Sequence, residues 1–262
     1  MAQKVQFVRR ITSAANPRFI EWNALRSRET RAARGAFLID GAKFAGEAVE
    51  CGAARCLIVA ENLADSQARL IERALDRGVG VYAMPDKLIG RLSDTKSPQG
   101  VLAEAALPNP PASDMLGRRV VVLDGVQDPG NVGTIIRTAD AAGLTGVLLT
   151  ETCADPYSIK ASRASMGSVF RVPALVSRDA AAIAGRMRNE GTRILVASTN
   201  GIPYTSITVR EPWVIVIGSE GHGVSDAFSR VATDTIAIPM RGGAESLNAA
   251  VAAGILFFAM ES

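Results

Sequence analysis

The sequence is poor in the side chains that build most metal and triad sites. It holds one histidine, His222, and three cysteines, Cys51, Cys56 and Cys153, among 262 residues. A lone imidazole nearly excludes a multi-histidine metal site and a catalytic triad. The cysteines show neither CxxC nor Cys/His spacing, which argues against a disulfide framework and a structural zinc site. We therefore expect no metal, and any chemistry must rely on other groups.

Long apolar runs are missing as well. The longest, residues 249–260, contains Gly254 and falls short of the roughly 20 apolar residues that span a bilayer. The N-terminus MAQKVQFVRR is basic but has no apolar stretch of signal-peptide length. The prediction is a soluble, cytoplasmic protein with no membrane partner.

Charge is nearly balanced overall but unevenly distributed. The net charge is +3, whereas residues 1–43 hold nine Lys/Arg against three Asp/Glu. A basic segment of this kind is typical of proteins that contact phosphate groups. A solvated helix face explains the same charges, and composition alone favours neither.

Proline marks a boundary between two halves of the chain. The segment 108-PNPPASD-114 has three prolines in four residues, which can continue neither a helix nor a central strand. Before it, short apolar runs alternate with helical patterns, as in an α/β domain of about a hundred residues. The predicted strands are 36–40, 55–60, 79–84 and 100–105, and the predicted helices are 16–33, 41–51, 65–77 and 85–92.

The alternation starts again after the linker, with stronger strand signals. The predicted strands are 119–125, 146–151, 193–198, 213–218 and 235–240, and the predicted helices are 131–142, 158–168, 179–190, 223–230 and 246–260. The strands are continuous β-branched runs, which are typical of parallel strands buried on both faces. The sequence therefore predicts two α/β domains, the second built on a parallel sheet.

Three of these strands end in loops that carry polar residues, at the edge where open parallel sheets bind ligands. The loops are 123-LDGVQDPGNVGTIIRTADAAG-143, 214-VIVIGSEGHGVS-225 and 236-IAIPMRGGAESLN-248. Asn131 and Ser246 are each placed to cap a helix, so both have a structural interpretation. Arg137 lies on a mostly apolar helix, where it must either reach water or meet an anion.

Common nucleotide-binding motifs are not matched. No loop fits GxxxxGK[ST], and the glycines at 218, 221 and 223 are not in GxGxxG order. The run 130-GNVGT-134 lacks both the third glycine and the acidic residue of a dinucleotide site. A dinucleotide oxidoreductase is therefore a weakly supported alternative.

Together the three loops resemble the motifs of the SpoU (TrmH-like) family of RNA ribose 2′-O-methyltransferases, in the SPOUT superfamily. The segments DPGNVGTIIRTADAAG, VIGSEGHGVS and IPMRGGAESLNAAVAAG follow the family's order and spacing, and the likeness covers residues 118–262. ITSAANPRF, FLIDGAKFAGEAV and SDTKSPQGVLA more loosely resemble the family's substrate-binding domain, an α/β fold similar to small ribosomal proteins. The implied layout is an RNA-binding domain over 1–107, a linker over 108–117 and a methyltransferase domain over 118–262.

The resemblance implies a fold, a cofactor and a set of site residues. The C-terminal parallel-sheet α/β domain would carry a deep trefoil knot, bind S-adenosyl-L-methionine and form a homodimer. The donor pocket would use Gly218, Ile238, Met240 and Leu247, and the polar active-site set would be Asn131, Arg137, Glu220, Ser246 and Asn248. Ser219 stands where asparagine is common, and Ala249-Ala250 replace a frequent Val-Ser. Neither departure removes a proposed catalytic group.

The implied reaction needs a positioned methyl group and a nucleophilic ribose hydroxyl. A guanidinium is effectively always protonated, so Arg137 is a poor general base. Our hypothesis is that Arg137 holds an RNA phosphate and stabilises developing oxyanion charge. The other four polar residues would orient the reacting groups.

The basic segment gains a partner from this resemblance. The arginines predicted to bind RNA phosphates are Arg9, Arg10, Arg18, Arg26 and Arg163. Ribosomal RNA is favoured over transfer RNA by family analogy to the two-domain layout. The alternatives are a catalytically inactive RNA- or ribosome-binding protein, a tRNA 2′-O-methyltransferase, and a base methyltransferase of the same superfamily.

Overall fold

The computed structural model describes residues 9–93, 98–115, 118–210 and 212–260 of the chain. The chain forms two compact units. The first comprises Met1–Pro108 and Tyr157–Phe170, and the second comprises Asn109–Pro156 and Arg171–Ser262. The first unit thus includes a short segment from the C-terminal half, for which the sequence patterns offer no signal.

Strands and helices alternate along the N-terminal half. They are β1 (Arg9–Arg10), α1 (Pro17–Ala24), α2 (Arg28–Arg34), β2 (Ala36–Asp40), α3 (Ala42–Glu50), β3 (Ala54–Ala60), α4 (Ala68–Asp76), β4 (Gly80–Met84), α5 (Asp86–Leu92) and β5 (Val101–Ala106). A 3-10 turn covers Glu61–Leu63. Apart from the first helix, the predicted elements recur within three residues of these bounds.

The predicted single helix over 16–33 is wrong, because two capped helices occupy this segment. Asn16 caps α1, and the Ser27 side chain accepts a hydrogen bond from Thr30 N at 3.4 Å to cap α2. Gly35 ends α2 in the left-handed region, at φ 57°. The buried Arg31 donates to the carbonyls of Leu25 and Arg26, at 2.7 and 2.8 Å. This arginine of the basic segment therefore stabilises the turn between the two helices.

The first unit is built on a mixed sheet with strand order β1-β4-β3-β5-β2. Strands β1, β4 and β3 are parallel, whereas β5 runs antiparallel to both of its neighbours. Both faces are covered by apolar side chains, so that Ile58 packs in one core cluster and Leu57 in the other. On the last strand of the sheet, the Phe37 ring contacts Tyr157, with centroids 5.2 Å apart.

The C-terminal half continues the alternation. Its elements are β6 (Val120–Asp124), α6 (Pro129–Ala141), β7 (Gly146–Leu149), α7 (Ile159–Ala164), β8 (Ala174–Val176), α8 (Ala180–Asn189), β9 (Arg193–Pro203), β10 (Trp213–Gly218), α9 (Asp226–Val231), β11 (Asp234–Ala237) and α10 (Ala249–Ala259). Further 3-10 turns cover Ala112–Met115, Ser168–Phe170 and Tyr204–Ser206. Helix α7 and the 3-10 turn at Ser168–Phe170 belong to the first unit, and the other elements belong to the second.

The second unit is built on a sheet with strand order β11-β9-β10-β6-β7-β8, in which every pair is parallel. The central strands β6 and β10 are buried except at their last residues, with Val120 to Leu123 and Val214 to Val216 at 0% exposure. The predicted parallel α/β sheet is therefore confirmed.

Several elements in this half differ from prediction, among them β11, which ends at Ala237 instead of 240, and α9, which begins at Asp226 instead of 223. Strand β8 was not predicted, because three residues are too few to form a periodic pattern. Strand β9 continues to Pro203 instead of ending at 198, and α7 stops at Ala164 before Met166, which has a φ of 51°. Helix α10 begins at Ala249 because Asn248, not Ser246, is its N-cap.

Candidate active site

The carboxyl ends of β6 and β10 lie side by side in the second unit. Asp124 and Gly218, the last residues of these strands, are register partners. The Asp124 carboxylate accepts a hydrogen bond from Ser225 N at 2.7 Å, which joins the end of β6 to the start of α9. The predicted loops therefore meet at one edge of the sheet, as the parallel-sheet rule requires.

The first loop ends where α6 begins, and Asp128 caps that helix. Its carboxylate accepts from Asn131 N at 2.9 Å, and Pro129 occupies the first helical turn. The prediction that Asn131 caps this helix is therefore wrong. The sequence signal for the true cap is the Asp128-Pro129 pair, because proline favours the first helical position. Since its side chain is not used in capping, Asn131 donates from Nδ2 to Glu220 Oε1 at 2.9 Å.

The third loop ends at Asn248, which performs two tasks. Its Oδ1 accepts from Ala250 N at 2.9 Å and Val251 N at 3.3 Å, which caps α10. Its Nδ2 donates to Asn131 Oδ1 at 3.1 Å and to Glu220 Oε1 at 2.9 Å. Asn131, Glu220 and Asn248, one from each loop, thus form a closed cluster of hydrogen bonds, which we call the polar cluster.

Glu220 is positioned by a tight turn after β10. Ser219 and Gly223 exchange backbone hydrogen bonds of 3.1 and 2.9 Å, and Ser219 Oγ accepts from His222 N at 3.2 Å. Gly218 has no room for a side chain, because a Cβ there would lie 2.2 Å from Gly223 O. His222 is exposed in this turn.

A cavity of about 400 Å³ lies beside the polar cluster. All four residues predicted for the donor pocket line it: Gly218, Ile238, Met240 and Leu247. Ser246 and Glu220 also line it, as do Ser198 and Thr199, which no sequence motif identifies. Apolar walls with a few polar groups are typical of cofactor pockets of this size, so the residues present fit S-adenosylmethionine.

A second cavity of about 220 Å³ shares Ser219, Glu220 and Ala249 with the first. Its lining adds Asn131 and three polar side chains outside the predicted site, Gln127, Asp128 and His222. Two adjoining cavities separated by the polar cluster provide space for a donor and for an acceptor.

Arg137 lies apart from both cavities, on the exposed side of α6. Among the described residues, its guanidinium makes no hydrogen bond or ion pair. The structure therefore brings Asn131, Glu220 and Asn248 into hydrogen-bonding contact and places Ser246 on the wall of the larger cavity. Arg137 has no hydrogen-bond or ion-pair partner among the described residues.

The arginines predicted to bind RNA occur at varied positions in the first unit. Arg9 and Arg10 form the exposed strand β1, where Arg10 pairs with Glu61 at 3.4 Å. Arg18 is exposed on α1 and pairs with Glu21 at 3.2 Å, Arg26 is exposed in the following turn, and Arg163 is half-buried on α7.

The described residues form neither a membrane-spanning helix nor a metal-binding cluster. No helix there has both the length and the apolarity to cross a bilayer. Nor do the described His, Cys, Asp and Glu side chains form any group of three or more that could hold a metal ion.

Two family models match the chain. The model described as "SpoU rRNA Methylase family" matches residues 118–258, and the one described as "MRM3-like substrate binding domain" matches residues 16–103.

Individual relatives match over nearly their whole length. The chain is 34% identical to the 23S rRNA (guanosine(2553)-2'-O)-methyltransferase RlmP of Bacillus subtilis, with 96% of this chain and 98% of that protein covered. It is 33% identical to the 23S rRNA (uridine(2479)-2'-O)-methyltransferase of Streptomyces viridochromogenes, with 98% and 93% covered.

A solved structure of an rRNA methyltransferase is also similar to this chain. The AdoMet-bound rRNA methyltransferase from Sinorhizobium meliloti superimposes with a TM-score of 0.85 at 31% identity, covering 97% of each chain. The predicted family, its enzyme class and its methyl donor, S-adenosylmethionine, are thereby confirmed. The chain belongs to the SpoU rRNA methylase family.

Proposed function

We propose that this protein transfers a methyl group from S-adenosylmethionine to a ribose 2′-hydroxyl of ribosomal RNA. The observation that carries the proposal is the polar cluster, in which Asn131, Glu220 and Asn248 from three strand-end loops join beside a cavity of donor size. The names of the two relatives, both 23S rRNA 2'-O-methyltransferases, support the substrate class.

The larger cavity is the proposed donor site. Gly218, Ile238, Met240 and Leu247 would hold the cofactor there, mainly through backbone groups and apolar contact. When bound, S-adenosylmethionine supplies an electrophilic sulfonium methyl group. The smaller cavity, across Glu220 and Ala249, is the proposed place of the acceptor ribose.

In this proposal Glu220 orients the amide groups. Its Oε1 receives hydrogen bonds from Asn131 Nδ2, Asn248 Nδ2 and Ala249 N, the last at 3.4 Å. Three donors on one oxygen hold both amides in fixed orientations, as a preorganised site requires. Ser246 lies on the donor-cavity wall and adds a hydroxyl near the reacting groups.

Arg137 is proposed to contact the RNA directly. It is exposed and has no partner among the described residues, so its planar fork is free to bind a phosphate in two-point fashion. The same positive charge would stabilise the negative charge that develops on the attacking oxygen. Arg9, Arg10, Arg18, Arg26 and Arg163 are the further proposed phosphate contacts.

We also propose the finer features that the family resemblance implies. These are a trefoil knot within residues 118–262, a ribosomal-protein-like substrate domain over 1–107 joined by a linker over 108–117, a homodimer, and a cytoplasmic location. The match of residues 16–103 to a substrate-binding model supports the second of these.

The deciding experiment maps methylation on ribosomal RNA. RNA from cells with and without the gene would be digested to nucleosides, and the loss of one 2′-O-methylnucleoside is expected. A lost base-methylated nucleoside would instead indicate a base methyltransferase. No change in rRNA, combined with no binding of S-adenosylmethionine in calorimetry, would identify an inactive RNA-binding protein. A change confined to tRNA would reassign the substrate.

A further inference from the structure

The first unit contains a charged cavity that shares no residue with the proposed donor and acceptor cavities. Its volume is about 450 Å³, and four arginines line it: Arg9, Arg18, Arg34 and Arg55. It lies at the amino-terminal ends of β3 and β4, where Cys56 and Gly80 are register partners. We call it the arginine cavity.

A buried carboxylate contributes to the lining of the arginine cavity. Glu104 is only 4% exposed, and its Oε2 accepts from Trp22 Nε1 at 2.8 Å and from Cys56 Sγ at 3.7 Å. The Trp22 ring packs edge-on against Tyr82, which also lines the cavity, with centroids 5.0 Å apart. Burial, reinforced by the Glu104 charge, raises the pKa of Cys56 to about 12, so the thiol remains a donor at neutral pH. These contacts hold the carboxylate through one of its two oxygens.

The other oxygen of Glu104 has spare acceptor capacity. No residue in the described part of the chain donates a hydrogen bond to Oε1, and Arg55 Nη1 lies 3.9 Å away. A carboxylate oxygen can accept more than one hydrogen bond, so Oε1 can accept from a further donor in addition to its ion pair with Arg55. A ligand in the cavity that presents N–H groups would satisfy this oxygen.

The arginines leave a surplus of positive charge around the cavity. Glu21 accepts from Arg18 at 3.2 Å and from Arg34 at 3.0 Å. Arg55 donates to the carbonyl groups at the end of α2, and Arg9 donates to the Tyr82 hydroxyl at 3.3 Å.

Within the described residues, therefore, only two carboxylates, Glu21 and Glu104, offset the four guanidinium groups. A concave site with excess positive charge concentrates anions, and guanidinium groups match phosphate oxygens in geometry.

We propose that the arginine cavity binds one unstacked nucleotide of the RNA substrate. The arginines hold its phosphate groups, and Glu104 Oε1 accepts hydrogen bonds from the N–H groups of its base. Guanine presents two adjacent N–H donors that suit a carboxylate, whereas uracil presents one. Splayed-out bases are the usual targets of sequence-specific RNA recognition. The inference rests on the proposed RNA substrate but not on methyl-transfer chemistry.

The phosphate part is tested with two charge-matched double variants. Arg9→Gln/Arg18→Gln removes two cations of the cavity, and Arg69→Gln/Lys87→Gln removes two exposed cations on α4 and α5 that do not line it. Binding of a 23S rRNA transcript is measured across a salt series. The cavity variant is expected to lose at least about tenfold in affinity and to lower the salt slope by about 1, because a phosphate contact is lost. The control should change far less.

The base part is tested with mononucleotides. In a Trp213→Phe background, Trp22 is the only tryptophan, so its fluorescence reports on the cavity. Guanosine 5′-monophosphate is expected to bind at least about fivefold more tightly than uridine 5′-monophosphate, because it offers one more N–H donor. Glu104→Gln keeps an acceptor for Trp22 but places an amide in the site, and it should abolish this preference.

Three results would overturn the proposal. Equal losses of rRNA affinity in the two double variants would mean that the cavity arginines contribute only general electrostatic attraction. If the wild type shows no preference for guanosine, or if Glu104→Gln leaves the preference unchanged, the proposed contact between Glu104 and the base is contradicted. Mononucleotide binding without any effect of the cavity variant on rRNA affinity would indicate a site for free nucleotides. If wild-type protein binds rRNA but methylates none, the proposed function fails while this site remains testable.

Discussion

At the scale of single residues, Asn248 combines a helix cap with a place in the polar cluster, and the two roles can be separated. Asn248→Asp keeps an oxygen for Ala250 N and Val251 N but removes the Nδ2 donor and sets a second carboxylate against Glu220. We expect the helix cap to be retained, because Asp is as good a cap as Asn, and the loss of stability to come from the two lost hydrogen bonds and the repulsion by Glu220. Methylation of rRNA should fall at least about tenfold, since an orienting donor is lost.

Asn248→Ala serves as the comparison, because it removes both roles. It should cost about 1 kcal/mol of unfolding free energy in addition to the activity loss. Urea denaturation and a tritium-transfer assay on rRNA measure the two effects. Full activity in Asn248→Asp would show that Asn248 has no role in the reaction and acts only as a helix cap.

Arg137 gives the second test at this scale. Arg137→Lys retains the charge but not the planar two-point fork, so kcat is expected to fall at least about tenfold while the Kd for S-adenosylmethionine stays the same. Arg186→Lys, at an exposed position on α8, is the matched control. Near-normal kcat in Arg137→Lys would contradict a role in binding phosphate or stabilising the oxyanion.

The residues of the polar cluster could be proposed from sequence because their motifs are local. Their hydrogen bonds could not, since Asn131 and Asn248 are 117 residues apart and only the folded sheet brings them together. Ser198 and Thr199 were missed for the same reason, because they lie within β9 after its apolar run and become wall residues only beside α10.

At the scale of elements, the turn after β10 depends on a glycine that cannot be replaced. A Cβ on Gly218 would lie 2.1 to 2.4 Å from backbone atoms of Gly223 and Val224. Gly218→Ala must therefore open the Ser219–Gly223 turn and displace Glu220. We expect at least about tenfold weaker binding of S-adenosylmethionine in calorimetry and a cost of roughly 1–3 kcal/mol in stability.

Gly221→Ala is the control within the same turn, because a Cβ at Gly221 meets no atom within 4 Å. It should bind S-adenosylmethionine like the wild type. Equal behaviour of the two variants would show that the turn adapts and that its close approach is unimportant for the donor cavity.

The edge strand β11 and its neighbour β9 are joined by a two-point ion pair. Arg193 Nε and Nη2 donate to the Asp234 carboxylate at 2.7 and 3.0 Å, and these hydrogen bonds hold the pKa of Asp234 below its ordinary value. A lowered folded pKa stabilises the protein above the unfolded value, near pH 4, and this contribution is lost as pH falls through the folded value. Asp234→Asn should cost about 1 kcal/mol at pH 7, with the difference shrinking below about pH 4.

Denaturation curves at pH 7 and pH 3 measure this difference. Glu190→Gln, at an exposed carboxylate outside any ion pair of the described chain, should change little at either pH. A cost for Asp234→Asn that is the same at both pH values would mean that the ion pair is not its source.

Element prediction from sequence succeeded where the apolar pattern is long and failed where capping decides. The central strands of the second unit are uninterrupted β-branched runs, and they recur as β6 and β10. The helix predicted over 16–33 is split because Ser27 offers a side-chain cap that competes with continuation of the helix. The extension of β9 requires Gly201 to lie against the backbone of Ile236, a contact that no local pattern reports.

At the scale of the whole molecule, the two compact units do not correspond to two continuous halves of the sequence. A segment from the C-terminal half, Tyr157–Phe170, packs within the first unit, where Ile159 joins the core with Trp22 and Leu102. Core membership of this kind depends on long-range packing, and it lies beyond periodicity and motif spacing.

The proposed homodimer yields the last prediction. Helix α10 is apolar on all sides, and such helices are normally buried all round. Yet Val251 and Phe258, two turns apart and so on one side, are 51% and 50% exposed. Exposed apolar patches of this type mark association surfaces. We therefore expect a dimer in sedimentation at micromolar concentration, and a monomer of 27.5 kDa for Val251→Asp/Phe258→Asp.

The double variant replaces two exposed apolar side chains and leaves the buried core unchanged. Its monomer should therefore remain folded, as measured by circular dichroism. Ile20→Asp, at a position 56% exposed on α1, is the control for adding charge at an exposed apolar site, and it should remain dimeric. A wild-type protein that sediments as a monomer would contradict the homodimer. A dimer that persists in the double variant would place the interface elsewhere and leave the exposure of α10 to another partner.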